Sequence, residues 1–190
     1  MSSVVRLSMV SHAATDALRL VRFPADEPLN DIGRRECGKA ARMSAARVLT
    51  GPELRATETA DLLGLLGATA DSALADVDYG SWTGSSMADI APDDIAAWLS
   101  DPTFAGHGGE SIVDVIERVR TWLDRVGDDG VETIAVAHPA VVRAAVIVTL
   151  DAPADAFWRI DIAPLSISRL HHRGAWTLRS VGFDYAKLTP

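Results

Sequence analysis

One stretch of the chain combines a strand-forming run, a histidine and a proline. Residues 134–137 are small or β-branched, His138 follows, and an apolar run from Pro139 continues to Leu150. This order predicts a buried strand, a turn and a helix, because proline is well tolerated at the first helical position, where a missing N–H costs little. His138 is therefore expected at the carboxyl end of a strand, where open α/β sheets bind their ligands.

Two more predicted strands end next to basic side chains. Residues 4–10 lead into His12, and Arg47–Thr50 leads through a Gly-Pro turn into a helix whose first turn carries Arg55. If these strands lie side by side in one parallel sheet, a single crevice holds His12, Arg55 and His138. The backbone N–H groups of helix N-termini favour anions there. The sequence therefore predicts an anion-binding crevice.

Length and charge limit the classes of partner. A chain of 190 residues that is 48% hydrophobic predicts a single domain over residues 1–190 with an ordinary core. The net charge of -8 argues against nucleic-acid and membrane-surface partners, which favour a basic face. An anionic substrate must therefore be held by a local cluster of cations.

Cysteine and histidine usage predicts no metal, no cofactor and a cytoplasmic setting. The single cysteine, Cys37, excludes an internal disulfide, and no CxxC or HxxxH spacing of metal ligands occurs. The N-terminal residues lack the pattern of a signal peptide, and no apolar run reaches the length of a membrane span. We therefore expect a reduced, non-membrane environment.

Helices and strands alternate along the chain. Asn30 is a candidate N-cap for a helix from Asp31 to about Ala46. Ser111 with Asp114 resembles a capping box before a second helix, whose end Gly127 and Gly130 bracket. Such alternation is typical of a parallel sheet covered by helices on both faces. The predicted fold is a three-layer α/β/α sandwich with a mostly parallel central sheet.

Two regions depart from this alternation. Residues 71–110 are rich in turn formers and are interpreted as an excursion over the sheet edge, a kind of segment that often carries function. Ser166–His172 and residues 175–179 read as a hairpin with a turn at Arg173 and Gly174. An exposed hairpin here is a candidate surface for a homodimer.

Two histidines and an arginine at one sheet edge suit phosphoryl transfer without a metal. A neutral imidazole is a competent nucleophile, a guanidinium matches two phosphoryl oxygens, and a second imidazole stabilises transition-state charge. A carboxylic acid is then needed to protonate the leaving oxygen. Asp76 and Asp78 are the nearest candidates, because they open the excursion.

The chain resembles the histidine phosphatase superfamily, the phosphoglycerate mutase-like group, and its length resembles the small phosphatase branch. Six motifs in order carry the resemblance over nearly the whole chain. They are residues 11–13, 28–33, 52–60, 74–84, 108–111 and 136–138.

The resemblance implies a role for each matched residue. His12 matches the histidine that becomes phosphorylated, Arg55 a phosphate-binding arginine, and His138 the second histidine of the phosphate pocket. Asp76 matches the proton donor, for which the family usually has the longer Glu. Together they imply a metal-independent phosphatase acting on a small phosphorylated metabolite.

The first motif departs from the family pattern. Ser11 replaces a phosphate-binding arginine and is left as a weaker phosphate contact, Ala13 replaces a glycine, and Leu18 replaces an asparagine. Losing one charge-assisted contact is expected to cost about 2–4 kcal/mol of transition-state stabilisation. Arg19 or Arg22, in the following loop, are candidates to replace it.

Three functions stay open at this point. The chain is a phosphatase working through a phosphohistidine, a catalytically weak or silent relative that serves as a binding or assembly module, or an enzyme of this fold acting on a different group. Retention of His12, Arg55, Asp76 and His138 as a set favours an enzyme.

Several other residues have plainer interpretations. Arg143 reads as a surface or salt-bridge residue of its helix, and Tyr79 and Trp82 as packing residues of the excursion. His107 reads equally as a pocket residue or as a solvated loop residue.

Overall fold

The computed structural model describes residues 4–184, whose six strands form one sheet. The strands are β1 (Val5–Ser11), β2 (Arg47–Thr50), β3 (Thr69–Ala70), β4 (Thr133–Ala137), β5 (Ser166–His172) and β6 (Trp176–Asp184). The helices are α1 (Asp16–Leu20), α2 (Asp31–Cys37), α3 (Leu54–Leu62), α4 (Pro92–Ser100), α5 (Ile112–Asp129) and α6 (Pro139–Leu150).

The sheet has the order β3-β2-β4-β1-β5-β6. β4 pairs in parallel with both β1 and β2, and β2 pairs in parallel with β3. β5 is antiparallel to β1, and β6 is antiparallel to β5. Five strands therefore run in one direction, which confirms the mostly parallel sheet. The carboxyl ends of β1, β2 and β4 are neighbours, as predicted.

Helices cover both faces of the sheet. Leu7 and Met9 of β1 pack with α5 and α6 in one buried cluster, whereas Val10 packs with α3 and Val48 in a second cluster. Alternate residues of a strand point to opposite faces, so one strand feeds both cores. This arrangement confirms the three-layer α/β/α sandwich.

The best-patterned helix has its predicted ends. The side chain of Ser111 accepts from the backbone N–H of Asp114, and the Asp114 carboxylate accepts from the N–H of Ser111, which completes a capping box at the start of α5. Gly130 ends α5 with a φ of 69°, a left-handed conformation that glycine adopts readily.

Helix α2 is shorter than predicted. Asn30 caps it by accepting from Gly33, as expected, but the helix ends at Cys37 and not near Ala46. Gly38 follows directly, and glycine is a poor helix former. The small and polar residues after it lack a continuous apolar stripe that would hold a longer helix to the sheet.

The excursion, residues 71–110, lies outside the sheet and contains one helix that the turn-rich composition hid. This helix, α4, begins at Pro92 and carries two aspartates in its first turn. An aromatic cluster of Phe23, Trp82 and Trp98 fastens the excursion to the loop after α1, with ring centroids 5.1–6.3 Å apart. The excursion is therefore a packed cover.

Within residues 4–184, none of the helices has the length and apolar character needed to cross a bilayer.

Candidate active site

Three strand ends bring the predicted basic side chains together. His12 follows β1, His138 follows β4, and Arg55 lies in the first turn of α3 after β2. The two imidazole ring centroids are 5.1 Å apart, and Arg55 Nε donates to Nδ1 of His138 over 3.2 Å. All three side chains are buried. The crevice predicted from the strand pattern therefore exists.

His12 is held as a neutral imidazole. Its Nδ1 lies 2.8 Å from the carbonyl oxygen of Ala13, which only accepts hydrogen bonds, so the ring proton is on Nδ1 and the lone pair is on Nε2. Burial, reinforced by the nearby His138, lowers the pKa of His12 to about 3. The ring is consequently unprotonated at neutral pH and suited to nucleophilic attack.

Arg55 is paired with the candidate acid. Its guanidinium donates to Oδ2 of Asp76 over 2.8 Å and to the carbonyl oxygen of Ala25 over 2.7 Å. Burial opposes ionisation of Asp76, but His138 and Arg55 outweigh it and hold the pKa of that carboxyl below its ordinary value. With no substrate bound, Asp76 is therefore a carboxylate.

Glu53 is a site residue that the sequence analysis missed. Its Oε2 accepts from Nε2 of His138 at 2.7 Å, and its Oε1 accepts from the backbone N–H of Asp76 at 3.0 Å. Burial raises the pKa of Glu53, but the hydrogen bond from His138 outweighs it, so the net shift is downward. One carboxylate thus fixes both His138 and the start of the excursion.

Gly51 is the local signal that could have identified Glu53. A Cβ at Gly51 would lie 2.7 Å from Nε2 of His138 and 3.0 Å from Oε2 of Glu53. A glycine followed by Pro52 at a strand end therefore leaves room for the next side chain to turn into the crevice.

His12, Arg55 and Asp76 line one small cleft of about 200 Å³. His138 and Glu53 are not among its lining residues and contact Arg55 and Asp76 from behind. The walls of the cleft come from the strand ends, the loop after α1, the excursion, the start of α6 and the segment before β5. The lining residues are His12, Thr15, Ala17, Leu18, Arg22, Pro24, Arg55, Asp76, Tyr79, Pro139, Ala140, Arg143, Ile162 and Pro164. Among residues 4–184, no group of three or more His, Cys, Asp or Glu side chains is arranged to hold a metal ion.

Two histidines and an arginine thus meet at the carboxyl ends of β1, β2 and β4. A comparison of the sequence with profiles of known families agrees with this arrangement. The profile of the histidine phosphatase superfamily, branch 1, matches residues 7–184. The chain belongs to the histidine phosphatase superfamily.

Two of the curated proteins similar to this chain come from mycobacteria. A bifunctional protein of Mycobacterium tuberculosis is 32% identical over 93% of this chain and 53% of its own length. A glucosyl-3-phosphoglycerate phosphatase of Mycolicibacterium vanbaalenii is 30% identical over 80% of this chain and 77% of its own length. The chain thus spans about half the length of the first of these relatives.

Solved structures share the fold. A mycobacterial glucosyl-3-phosphoglycerate phosphatase superposes with a TM-score of 0.81 at 25% identity, over 96% of this chain and all of the other. A phosphoserine phosphatase mutant of Entamoeba histolytica superposes with a TM-score of 0.84 at 16% identity, over 97% of this chain and all of the other. The second likeness concerns the fold alone.

The first motif of this superfamily member carries no arginine, since Ser11 stands in its place. Ser11 is fully buried and is not among the residues that line the cleft. Its Oγ has no hydrogen-bond partner within residues 4–184. The role of Ser11 as a phosphate contact stays a prediction.

The two arginines of the following loop differ in position. Arg22 lines the cleft, and a backbone bridge to Ser86 ties its loop to the excursion. Arg19 is exposed and pairs with Asp16 at 3.4 Å, away from the cleft. Of these two loop arginines, only Arg22 faces the cleft.

Asp76 and Asp78, the two candidate acids, are separated by the structure. Asp76 lies in the cleft, whereas Asp78 is exposed and its carboxylate accepts from the backbone N–H of Gly80 at 2.8 Å. Residues two apart share a side only on a regular strand, and this segment is not a strand. The Asp78 side chain therefore does not have to follow Asp76 into the cleft.

The interpretation of Arg143 was wrong, whereas those of Tyr79 and Trp82 as packing residues are confirmed. Arg143 makes no ion pair with any residue from 4 to 184, and it lines the cleft, since its position one turn into α6 faces the crevice. Tyr79 packs against Phe23, as expected, but it also lines the cleft. Trp82 is confirmed as a packing residue, and His107 is buried beside it, away from the cleft.

Proposed function

We propose that this chain is a phosphatase that hydrolyses a small phosphomonoester through a phosphohistidine at His12. One observation carries the proposal: a buried neutral imidazole, with its lone pair on Nε2, lines a small cleft beside the guanidinium of Arg55. The cleft of about 200 Å³ suits a small metabolite, since the pockets that hold drug-sized ligands measure roughly 300–1,000 Å³.

In the first step, Nε2 of His12 attacks the phosphorus of the bound ester. The N–P bond forms, the bond between phosphorus and the ester oxygen breaks, and Asp76 gives its proton to the leaving oxygen. Arg55 and His138 stabilise the charge on the phosphoryl oxygens.

Asp76 must gain a proton before this step, and substrate binding supplies the reason. A phosphate that takes over the Arg55 guanidinium breaks the 2.8 Å pair with Asp76 and adds negative charge nearby. Both effects raise the pKa of a buried carboxyl, so Asp76 takes up a proton from solvent. Substrate binding thus converts a paired carboxylate into a general acid.

In the second step, a water molecule attacks the phosphohistidine. Asp76, now a carboxylate, accepts the water proton while the N–P bond breaks. Phosphate leaves, and His12 returns to its neutral state.

We propose that Arg22 takes the place of the arginine missing at position 11. It lines the cleft, is exposed at its mouth and forms no ion pair within the described part of the chain. Guanidinium groups supply the positive charge in this mechanism, so turnover is expected without a metal ion.

A silent binding module is the second candidate, and a specific observation favours it. Arg55 hydrogen-bonds to Ala25, Asp76 and His138, and both ring nitrogens of His138 have protein partners. The phosphate must displace these contacts to bind.

Hydrolysis assays separate the two candidates. The parent chain and His12→Ala are compared on an aryl phosphate and a panel of phosphomonoesters that includes glucosyl-3-phosphoglycerate, with and without a chelator. Chelator-insensitive turnover that is lost in His12→Ala supports the phosphatase. A folded parent chain with no turnover above the variant contradicts it and leaves the binding module.

A further inference from the structure

Arg143 is a half-buried cation in the cleft that the proposed chemistry does not use. Its side chain has no carboxylate partner among residues 4–184, and its terminal nitrogens donate no hydrogen bond there. Burial lowers its pKa, and the nearby Tyr79, Asp161 and Asp76 offset this only in part. Because arginine stays charged in proteins, the cleft holds a positive charge that Asp161 and Asp76 balance only from a distance, since neither pairs with it.

The protein holds this guanidinium in a fixed orientation. Arg143 Nε donates to the carbonyl oxygen of Ile160 over 2.7 Å, and the guanidinium carbon lies 5.6 Å from the Phe157 ring centroid and 5.9 Å from that of Trp158. Trp158 is itself packed 4.3 Å from Trp98 of the excursion. With Nε anchored and the plane packed on rings, the terminal N–H groups remain for a ligand.

The cleft carries more positive than negative charge, and one bound phosphate does not pair with all of its arginines. Arg22, Arg55 and Arg143 all line it, and Asp76 is the one carboxylate that lines it within residues 4–184, where it pairs with Arg55. In a chain of net charge -8, this local excess of cations stands out. A phosphoryl group seated at His12 and Arg55 leaves Arg143 unmatched.

We propose that Arg143 binds a carboxylate on the substrate, so that the substrate is a phosphomonoester carrying a carboxylate a few bonds from its phosphate. The planar guanidinium fork matches the two oxygens of a carboxylate. A cleft of about 200 Å³ keeps the two anionic groups on one small molecule. This inference rests on the phosphatase function proposed above.

Matched pairs of substrates test it. Phosphoserine and phosphoethanolamine differ only by a carboxylate, and 3-phosphoglycerate and glycerol 3-phosphate differ by a carboxylate in place of a hydroxymethyl group. The parent chain is expected to prefer the carboxylate member of each pair by about 10- to 100-fold in kcat/KM, the value of one charge-assisted contact. The preference is expected mainly in KM.

Arg143→Gln is expected to bring both ratios close to one. Arg143→Lys keeps the positive charge but loses the two-pronged guanidinium, so it is expected to give intermediate ratios. It provides a second test of the proposal if the Arg143→Gln variant folds poorly. Arg120→Gln, which removes an exposed arginine paired with Glu117 on α5, is the control and should keep the parental ratios. Calorimetry measures the affinity for both members of each substrate pair, so it tests the carboxylate preference independently of turnover.

The outcomes are distinct. Turnover with no carboxylate preference in the parent chain, or a preference that survives in both Arg143 variants, overturns the assignment of Arg143 and leaves the phosphatase intact. Absence of aryl phosphate turnover in the parent chain overturns the phosphatase, and equal calorimetric affinities within each pair then overturn the carboxylate site as well.

Discussion

At the residue scale, the site depends on two buried groups, of which one is neutral and the other is ionised. His12 is neutral because burial lowers its pKa to about 3, and Asp76 is ionised because Arg55 and His138 outweigh its burial. A nucleophile and a general acid need the neutral form of each group. The imidazole of His12 is in its reactive neutral form before substrate binds. The carboxyl group of Asp76 becomes protonated only after the substrate phosphate has replaced it as the partner of Arg55.

Asp76→Asn should slow esters of poor leaving groups far more than aryl esters. An asparagine cannot give a proton to an alkoxide, so we expect a loss of about 10²–10⁴-fold in kcat/KM on alkyl phosphates and a much smaller loss in kcat/KM on p-nitrophenyl phosphate. The comparison uses kcat/KM because hydrolysis of the phosphohistidine, which also uses Asp76, limits kcat for both ester types alike. Kinetics on both ester types measure the difference. Asp78→Asn, two residues away and exposed, is the control; equal losses in the two variants would remove Asp76 as the acid.

Arg22→Gln should lower kcat/KM by about 10- to 100-fold, because it removes a cation that stabilises the phosphoryl group. Arg19→Gln is the matched control from the same loop, since Arg19 pairs with Asp16 outside the cleft. Steady-state kinetics on one phosphomonoester compare the two. Similar activity in both variants would mean that nothing replaces the arginine missing at position 11.

The sequence predicted the site residues that follow strands, but it did not predict those positioned by a turn or by a helix face. His12, Arg55 and His138 follow strands, and parallel pairing brings strand ends together whatever the rest of the chain does. Glu53 reaches His138 only through the exact turn at Gly51, and Arg143 reaches the cleft only through the rotation of α6. Those details depend on packing that a single sequence does not display.

At the scale of elements, the turn between β2 and α3 determines how Arg55, Glu53 and His138 meet. Gly51 lies where a Cβ would sit 2.7 Å from Nε2 of His138 and 2.8 Å from the carbonyl oxygen of Leu74. Such distances are shorter than van der Waals contact, so this turn requires the absence of a side chain.

Gly51→Ala should therefore disrupt the Glu53–His138 pair. We expect about 1–3 kcal/mol of lost stability from overpacking and a fall in activity that Glu53→Gln reproduces. Thermal unfolding and steady-state kinetics measure the two effects. Gly38→Ala is the control, because a Cβ there meets nothing closer than 3.5 Å. A Gly51→Ala chain with parental stability and activity would contradict this view of the turn.

Elements with strong local signals were predicted closely, and elements without them were not. The capping box and apolar stripe of α5 marked both its ends. The short α1, the two-residue β3 and α4 were missed, because short segments show little periodicity and α4 lies among turn formers. α4 is held by the aromatic cluster, a tertiary effect.

At the scale of the whole molecule, the buried site makes stability depend on pH. The pKa of His12 falls from 6.5 in the unfolded chain to about 3 in the folded protein. Below about 6.5 the unfolded chain takes up a proton that the folded chain refuses, so stability falls as pH falls through that window, by up to about 1.4 kcal/mol per pH unit.

His12→Gln should flatten this dependence. Urea unfolding at a series of pH values between about 6.5 and 3 should give a smaller loss of unfolding free energy in the variant than in the parent chain. Asp76 and Glu53, whose pKa values are also lowered, act in the same direction and keep a residual slope in both proteins. Equal slopes would contradict a buried neutral His12.

The assembly of the molecule stays a prediction. β6 is an edge strand of the sheet, and Val181 and Phe183 on it are exposed, which fits the proposed hairpin dimer near residues 166–179. Sedimentation of the parent chain, compared with a chain carrying Val181→Lys, tests it. A parent chain that stays monomeric at high concentration would exclude this dimer.

The central claim is that the phosphoryl group is transferred to His12 before water releases it. The most direct measurement is rapid acid-free quenching of the parent chain with a phosphomonoester, followed by mass spectrometry of the peptide that contains His12 under conditions that preserve phosphohistidine. We predict a phosphoryl group on His12 during turnover and none in His12→Ala. Steady turnover with no phosphoryl group on His12, or undiminished turnover in His12→Ala, would contradict it.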